Sequence, residues 1–425
     1  MKSSSTLQTI ILGIQFMFVA FGATVLVPIL VTSGVESELA RQGITDFPDT
    51  YKSFSPAIAL LAAGISTLCF HLITKGKVPV FLGSSFAFIA PIPVAIVMFG
   101  YEHTLSGLVA VGVLYFLFGL LVKFFGIGFI DRIFPPAVTG PVIMVIGLSL
   151  APTAVSNASE HWGIALLTLL TAVVTVMYGK GMMKLIPIFS ALLVGYLFAY
   201  TLGYVDTGNI RKADWLSVPP IVLPAFDWKA ILYIAPVAIA PIVEHIGNIY
   251  AIGNVAGKNF IKKPGLHRTL MGDGVGSFLA SFIGGPPSTT YAEVTGAIQL
   301  TKVTNPKVLR ISAITAIVVS FIGVLTALLT SIPNAVLGGV MILLFGSIAA
   351  VGINTMFNGK VNMMHTKNQI LASVILVLGI GGAHFQIGSF QMSGIGLCSV
   401  VGVLLNLILR EKKEEKNEPM AMNNE

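Results

Sequence analysis

Gly285-Pro286-Pro287-Ser288-Thr289-Thr290-Tyr291-Ala292-Glu293-Val294 restates, with altered letters, an earlier stretch, Val78-Pro79-Val80-Phe81-Leu82-Gly83-Ser84-Ser85-Phe86-Ala87-Phe88-Ile89. Both run from proline through two small hydroxyl residues to an aromatic, an alanine and one residue more. Proline and glycine punctuate each start, and Ser-Ser-Phe or Thr-Thr-Tyr favours extended backbone before helical propensity resumes. The pattern predicts, twice, a short extended stretch followed by a half-helix.

The surroundings make that pattern unusual. The chain has 425 residues, of which 55% are hydrophobic and 10% charged, with mean hydropathy +0.88. Soluble proteins carry about 25% charged residues, so the composition describes a polytopic membrane protein. Apolar segments cover 9–32, 55–74, 78–98, 104–124, 135–153, 162–178 and 184–204, then 229–252, 270–284, 286–300, 308–330, 332–352, 368–382 and 389–409. The polar loop around Asp206–Asp227 separates seven from seven. An odd number per half forces the second half to run opposite to the first. The expected fold is therefore all-α, with 14 transmembrane segments as two inverted 7-segment repeats. Segments 3 and 10 are the interrupted ones, where inverted-repeat transporters place substrate near the midplane. Extended backbone survives at that depth only if buried in protein or lining a cavity. Two such stretches can pair as short antiparallel β-strands and aim half-helix N-termini at a ligand.

Charge sets the orientation. Basic residues gather in alternate loops: Lys75/Lys77, Lys123/Arg132, Lys180/Lys184, Lys258/Lys262/Lys263/Arg268, Lys302/Lys307/Arg310, Lys360/Lys367 and the tail from Arg410. Only Arg41, Lys52, Arg211, Lys212 and Lys229 lie in the intervening loops, which hold most of the acids. By the positive-inside rule both termini are cytoplasmic and the protein is a multi-pass cell-membrane protein. The apolar run after Lys2 is too long for a cleaved signal peptide and reads as the first span. Net charge +7 is explained by these loops without nucleic acid. Cys69 and Cys398 lie in apolar segments as packing residues, and no metal or cofactor motif is present.

Two acids stand out. Glu244 lies in Ile242-Val243-Glu244-His245-Ile246-Gly247-Asn248, and Glu293 directly follows the second broken stretch. A carboxyl at membrane depth costs several kcal/mol unless it faces a cavity or partner, so it marks an ion or substrate pathway. Such a group can take up a proton on one side and release it on the other. Asn248 shares a face with Glu244, so its amide is expected to donate to the carboxylate. Gly247 permits close approach of a ligand or a helix. His245 is about 100° further round and is expected to be satisfied by a neighbouring helix, with proton relay as the other reading. Tyr291 is expected chiefly to pack, and His71 to be interfacial. Backbone N–H groups at Phe86, Ala87, Ala292 or Glu293 would meet ligand carbonyls. Two carboxylates disfavour anions and suit a flat ring alternating N–H and C=O, such as a pyrimidine or oxidised purine. No P-loop, dinucleotide fingerprint, H-E-x-x-H or G-x-S-x-G motif is present, so the chain reads as a carrier driven by an ion gradient and not as an enzyme.

The chain resembles the nucleobase–ascorbate transporter family, and within it the bacterial uracil permeases. The resemblance rests on Phe21-Gly22-Ala23-Thr24-Val25-Leu26-Val27-Pro28, Leu82 to Ile89, Phe134-Pro135-Pro136, Glu244-His245-Ile246-Gly247, Pro264-Gly265-Leu266-His267-Arg268 and Thr289-Thr290-Tyr291-Ala292-Glu293. It implies a core domain over 1–130 and 225–330, a gate over 131–224 and 331–409, and a cytoplasmic tail at 410–425. It further implies that Glu244 and Glu293 hold the nucleobase, that backbone at Phe86 and Ala292 completes the hydrogen bonds, and that transport is proton symport. A homodimer through the gate is also implied. Val294, Asn248, Phe16 and Ala292 depart from the family pattern. Asn248 stands where uracil permeases commonly carry histidine and cannot relay a proton, which leaves Glu244 as the proton carrier. Uracil is the expected substrate, with xanthine or another purine as the alternative. An anion exchanger of the same seven-plus-seven plan is the rival, although its soluble regulatory domain has no counterpart in so short a tail.

Overall fold

The structure, a computed structural model, describes residues 6–44, 54–181, 183–387 and 390–409. The expectations for Lys2, for the loop holding Asp46, Asp49 and Lys52, and for the 410–425 tail lie outside the described residues.

The first half comprises α1 (Thr6–Arg41), α2 (Pro56–Ile73), β1 (Leu82–Ser84), α3 (Pro91–Phe99), α4 (Tyr101–Phe125), α5 (Ile127–Ile133), α6 (Pro136–Leu148), α7 (Ala151–Ser159), α8 (Trp162–Tyr178) and α9 (Pro187–Thr201). After a short α10 (Gly208–Lys212) come α11 (Trp228–Ile234), α12 (Ile239–Ala256), α13 (Leu266–Phe282), β2 (Ser288–Thr290), α14 (Ala292–Thr301), α15 (Pro306–Ser320), α16 (Gly323–Thr330), α17 (Asn334–Asn358) and α18 (Thr366–Ile380). A hairpin of β3 (His384–Ile387) and β4 (Phe390–Ser393) then leads into α19 (Gly394–Ile408).

Local chemistry sets the boundaries. Proline opens α2, α3, α6, α9 and α15, where its missing N–H would be unsatisfied anyway. Ser55 Oγ, Asp227 Oδ1 and Asn305 Oδ1 accept from the first free N–H groups of α2, α11 and α15. Gly257 ends α12 in the left-handed conformation at φ +62°, which glycine adopts without strain.

Packing follows the inverted repeat. In the first set of helices α13 lies against α4 and α2, and α15 lies against α2 and α1. Exchanging each helix for its counterpart turns the α4–α13 contact into the α2–α15 contact. Elsewhere α17 packs on α6 and α8 while α18 packs on α6, and the α8–α9 pair is matched by α18–α19. Small residues permit the closest approaches: at Gly112 a side chain would meet the Gly274 carbonyl of α13 at 2.8 Å.

The two strands pair antiparallel, Leu82 with Thr290, Gly83 with Thr289 and Ser84 with Ser288. All six residues are buried, as backbone at this depth requires. α3 and α14 have nine and ten residues. At 1.5 Å per residue each covers about half of a roughly 30 Å bilayer core. The expected broken helices of segments 3 and 10 are thus present. Three features were not expected. Segment 8 is interrupted by a 3-10 turn at Ala235–Ala238 around Pro236, segment 11 breaks between α15 and α16, and the β3–β4 hairpin fills the link before α19.

Candidate substrate site at the paired broken helices

Hydroxyl side chains from α2 and α13 hold the strand pair. Thr67 Oγ1 accepts from Leu82 N at 2.9 Å and lies 3.2 Å from Leu82 O. Ser277 Oγ donates to Ser288 O at 2.6 Å, and Ser288 Oγ donates to Ser66 Oγ at 2.9 Å. Backbone bonds continue past each strand: Ser85 N donates to Pro287 O and Tyr291 N to Phe81 O. Every such partner replaces water that the bilayer lacks. His71, expected at the interface, is instead buried, with Nε2 3.0 Å from Val80 O, bracing the approach to β1.

The half-helices start differently. After β1 a 3-10 turn at Phe86–Phe88 precedes α3, because Pro91 and Pro93 delay the regular helix. α14 begins directly at Ala292, with Tyr291 as N-cap and no side-chain cap. The first N–H groups of such a helix have no intrahelical acceptor. Ala292 therefore presents a donor, while the Glu293 N–H lies against its own carboxylate in the same turn.

Glu244 on α12 and Glu293 on α14 are both half-buried, on helices that pack together. Glu293 and Asp273 lie within electrostatic reach of Glu244. Gly247 stands one turn after Glu244, and Gly296 one turn after Glu293. A side chain built at either glycine would meet nothing within 4 Å, so open space adjoins both acids. Gly247 therefore borders a gap and not a neighbouring helix. Glu293, Gly296 and Ala297 line a cavity of about 210 Å³ with Val19, Ile188 and Phe189. That cavity shares Lys184, Leu185 and Leu300 with a second of about 410 Å³ reaching Gln15 and Thr301.

The aromatics form one wall. Phe86 is 5% exposed, lies nearly parallel to Tyr291 at 6.5 Å and meets Phe345 of α17 edge-on at 6.4 Å. Tyr291 Oη donates to Ser84 O at 3.0 Å, so its hydroxyl ties the two broken helices together. Ala87 is fully buried and Ala292 half-buried.

Asn248 does not serve Glu244. Its amide donates to Thr290 O at 2.7 Å and approaches Thr290 Oγ1 at 3.4 Å. The expected Asn248–Glu244 bond is corrected on this point: the unpaired carbonyl at the end of β2 takes the donor, leaving the carboxylate free to face the open space. His245 turns the other way. Its Nε2 is 3.0 Å from Thr269 Oγ1, and its Nδ1 is 2.7 Å from Asp273 Oδ2, with both side chains wholly buried. Asp273 also borders the Thr290 backbone. It is a third intramembrane carboxyl that the sequence reading passed over, although Gly272-Asp273-Gly274 inside segment 270–284 carried the signal. Among the described residues no group of His, Cys, Asp and Glu could hold a metal ion.

Fold and site together define a multi-pass membrane transporter with paired broken helices. The sequence profile of the family described as "Permease family" matches residues 7–387, and the chain belongs to this nucleobase–ascorbate transporter family. It is 46% identical to the probable uracil permease of Pasteurella multocida (strain Pm70) over 97% of this chain and 95% of the relative. It is 41% identical to the uracil permease of Bacillus subtilis (strain 168), covering 95% of this chain and 93% of that one. The uracil permease of Escherichia coli (strain K12) is 39% identical, at 95% and 92% coverage. Among solved structures, the fold is similar to the transmembrane domain of the cyanobacterial bicarbonate transporter BicA, with TM-score 0.57, 13% identity and coverage of 94% and 96%. It is also similar to the murine anion transporter Slc26a9, with TM-score 0.64, 10% identity and coverage of 96% and 69%.

Proposed function

We propose that this chain imports a nucleobase, uracil in the first instance, together with protons. The observation carrying the reading is the second broken helix, which turns the α14 N-terminus and Glu293 toward open space beside the half-buried Glu244. The carboxylates accept from ring N–H groups, and the N–H groups of Ala292 and of Phe86 donate to ring carbonyls. Phe86 adds an apolar wall. A uracil ring offers that alternation, and the uracil permeases named above support the same substrate. The pair of carboxyls speaks against an anion exchanger, since both would repel its cargo.

Glu244 is the proposed proton carrier. Protonated, it is neutral and tolerated at this depth; deprotonated, it faces Glu293 and gains from a donor-rich ligand. Asn248, engaged with β2, serves to fix the break, and His245 is locked against Asp273. The proposed motion carries a core of 1–130 and 225–330 against a gate of 131–224 and 331–409. The two cavities, which share Lys184, Leu185 and Leu300 in their linings, are the proposed route from Glu293 to the lysine-rich face, which is taken as cytoplasmic. One proton crossing 100 mV supplies about 2.3 kcal/mol, enough for roughly 40-fold accumulation.

The test is uptake of radiolabelled uracil into membrane vesicles under an imposed pH gradient. Accumulation that collapses with a protonophore and ignores sodium supports the reading. Sodium dependence with protonophore insensitivity replaces the coupling ion, and absence of uracil uptake with uptake of xanthine replaces the substrate.

A further inference from the structure

One cavity lies away from the acids. It measures about 630 Å³ and is lined by Gly76, Lys77, Lys258, Asn259, Phe260, Lys262, Lys263 and Pro306. Three turns meet there: the link from α2 to β1, the link from α12 to α13, and the start of α15. No acid lines it, and among the described residues its lysines form no salt bridge. Among the described residues, like charges are gathered here without an acidic partner.

The lysines sit on a fixed turn. Asn259 Oδ1 accepts from Lys262 N at 3.0 Å, Lys263 N donates to Asn259 O at 3.0 Å, and Gly265 N donates to Phe260 O at 3.3 Å. Phe260 and Ile261 are buried and anchor the turn, leaving the side chains of Lys258, Lys262 and Lys263 exposed. The cavity stands where the apolar helices α2 and α12 end and α15 begins, on the lysine-rich face. With Phe260 buried, the described residues supply no aromatic platform for a base, so a nucleotide would gain only its phosphate contacts.

We infer that this cavity binds the phosphate of an anionic phospholipid headgroup. Compact ammonium groups suit a phosphate approached from several sides, and basic pockets between spans on this side take such headgroups. The three turns adjoin β1, the end of α12, which carries Glu244, and the link that follows α14 with its Glu293. A bound headgroup therefore fixes the spacing of the elements that build the substrate site.

The test compares thermal unfolding of the purified protein in detergent with added phosphatidylglycerol, phosphatidylcholine or inorganic phosphate. Phosphatidylglycerol is expected to raise Tm, and the other two to leave it unchanged. The combined Lys258→Gln, Lys262→Gln and Lys263→Gln variant should lose that rise, whereas a Lys360→Gln and Lys367→Gln control on the same face should keep it. A full rise in the triple variant, or equal loss in the control, overturns the site. A rise with inorganic phosphate alone overturns the lipid assignment. If the triple variant fails to fold, the single Lys262→Gln variant is examined by native mass spectrometry. Fewer bound phosphatidylglycerol molecules than in the parent support the site, and an unchanged number overturns it.

Discussion

The two broken helices share a backbone and differ in chemistry. In the first, Ser84-Ser85-Phe86-Ala87 leads through a 3-10 turn into an apolar half-helix with no ionisable side chain. In the second, Thr289-Thr290-Tyr291-Ala292-Glu293 leads directly into α14, with Asn248 clasping Thr290 and the His245–Asp273 pair beneath. The carboxyls Glu244, Asp273 and Glu293 all belong to the second repeat. The paired scaffold is common to both copies, and these intramembrane carboxyls stand in one. The first copy contributes the Phe86 wall and a rigid strand.

The largest expected effect breaks the second copy from below. Asp273→Ala leaves the wholly buried His245 ring without the partner 2.7 Å from its Nδ1, at a cost of about 3 kcal/mol, the upper end for a stranded buried polar group. Thermal unfolding in detergent should show a lower Tm than for any change confined to the first copy. An unchanged Tm would mean the pair carries no load.

Next comes the polar clasp. Asn248→Ala strands the Thr290 carbonyl in a buried place, at about 1–3 kcal/mol. Ser84→Ala removes only the 3.2 Å bond to Thr24 O in the first copy, worth about 0.5–1.5 kcal/mol. Uracil affinity should fall in the Asn248 variant and hold in the Ser84 variant, as read by calorimetric titration. Equal losses would erase the proposed division between the copies.

Glycines give the sharpest contrast. At Gly83 an added methyl would meet the Tyr291 ring, with its hydroxyl oxygen at 2.6 Å. Gly83→Ala should therefore cost about 1–3 kcal/mol through overpacking. Gly247→Ala meets nothing within 4 Å and should hold or raise stability by up to about 1 kcal/mol. Its methyl would nevertheless intrude on the ligand's space and lower uracil binding. Stability and binding should thus part company at Gly247 and move together at Gly83.

Much of this was legible in the letters because membrane burial punishes irregularity. The Pro and Ser/Thr runs at segments 3 and 10 favoured extended stretches inside protein over kinked helices, and the structure pairs them. Glu244 and Glu293 stood out because each adjoined glycines or a helix break. Asp273 was overlooked although Gly272 and Gly274 flank it, since no proline or Ser/Thr run breaks the helix there and its partner, His245, lies on another helix. Asn248 shows the same limit from the opposite side. Helical spacing placed it on the face of Glu244, yet a strand carbonyl from a segment 42 residues on claimed the amide. The β3–β4 hairpin escaped notice since its stability comes from cross-strand partners, which linear spacing does not name.

Binding of radiolabelled uracil to purified Glu244→Gln and Glu293→Gln proteins tests the account most directly. Loss of a hydrogen bond to a charged group, about 1.5–3 kcal/mol, predicts affinity lowered about 10- to 100-fold in each, with folding intact. Parental affinity in both variants would contradict a site built from these two acids.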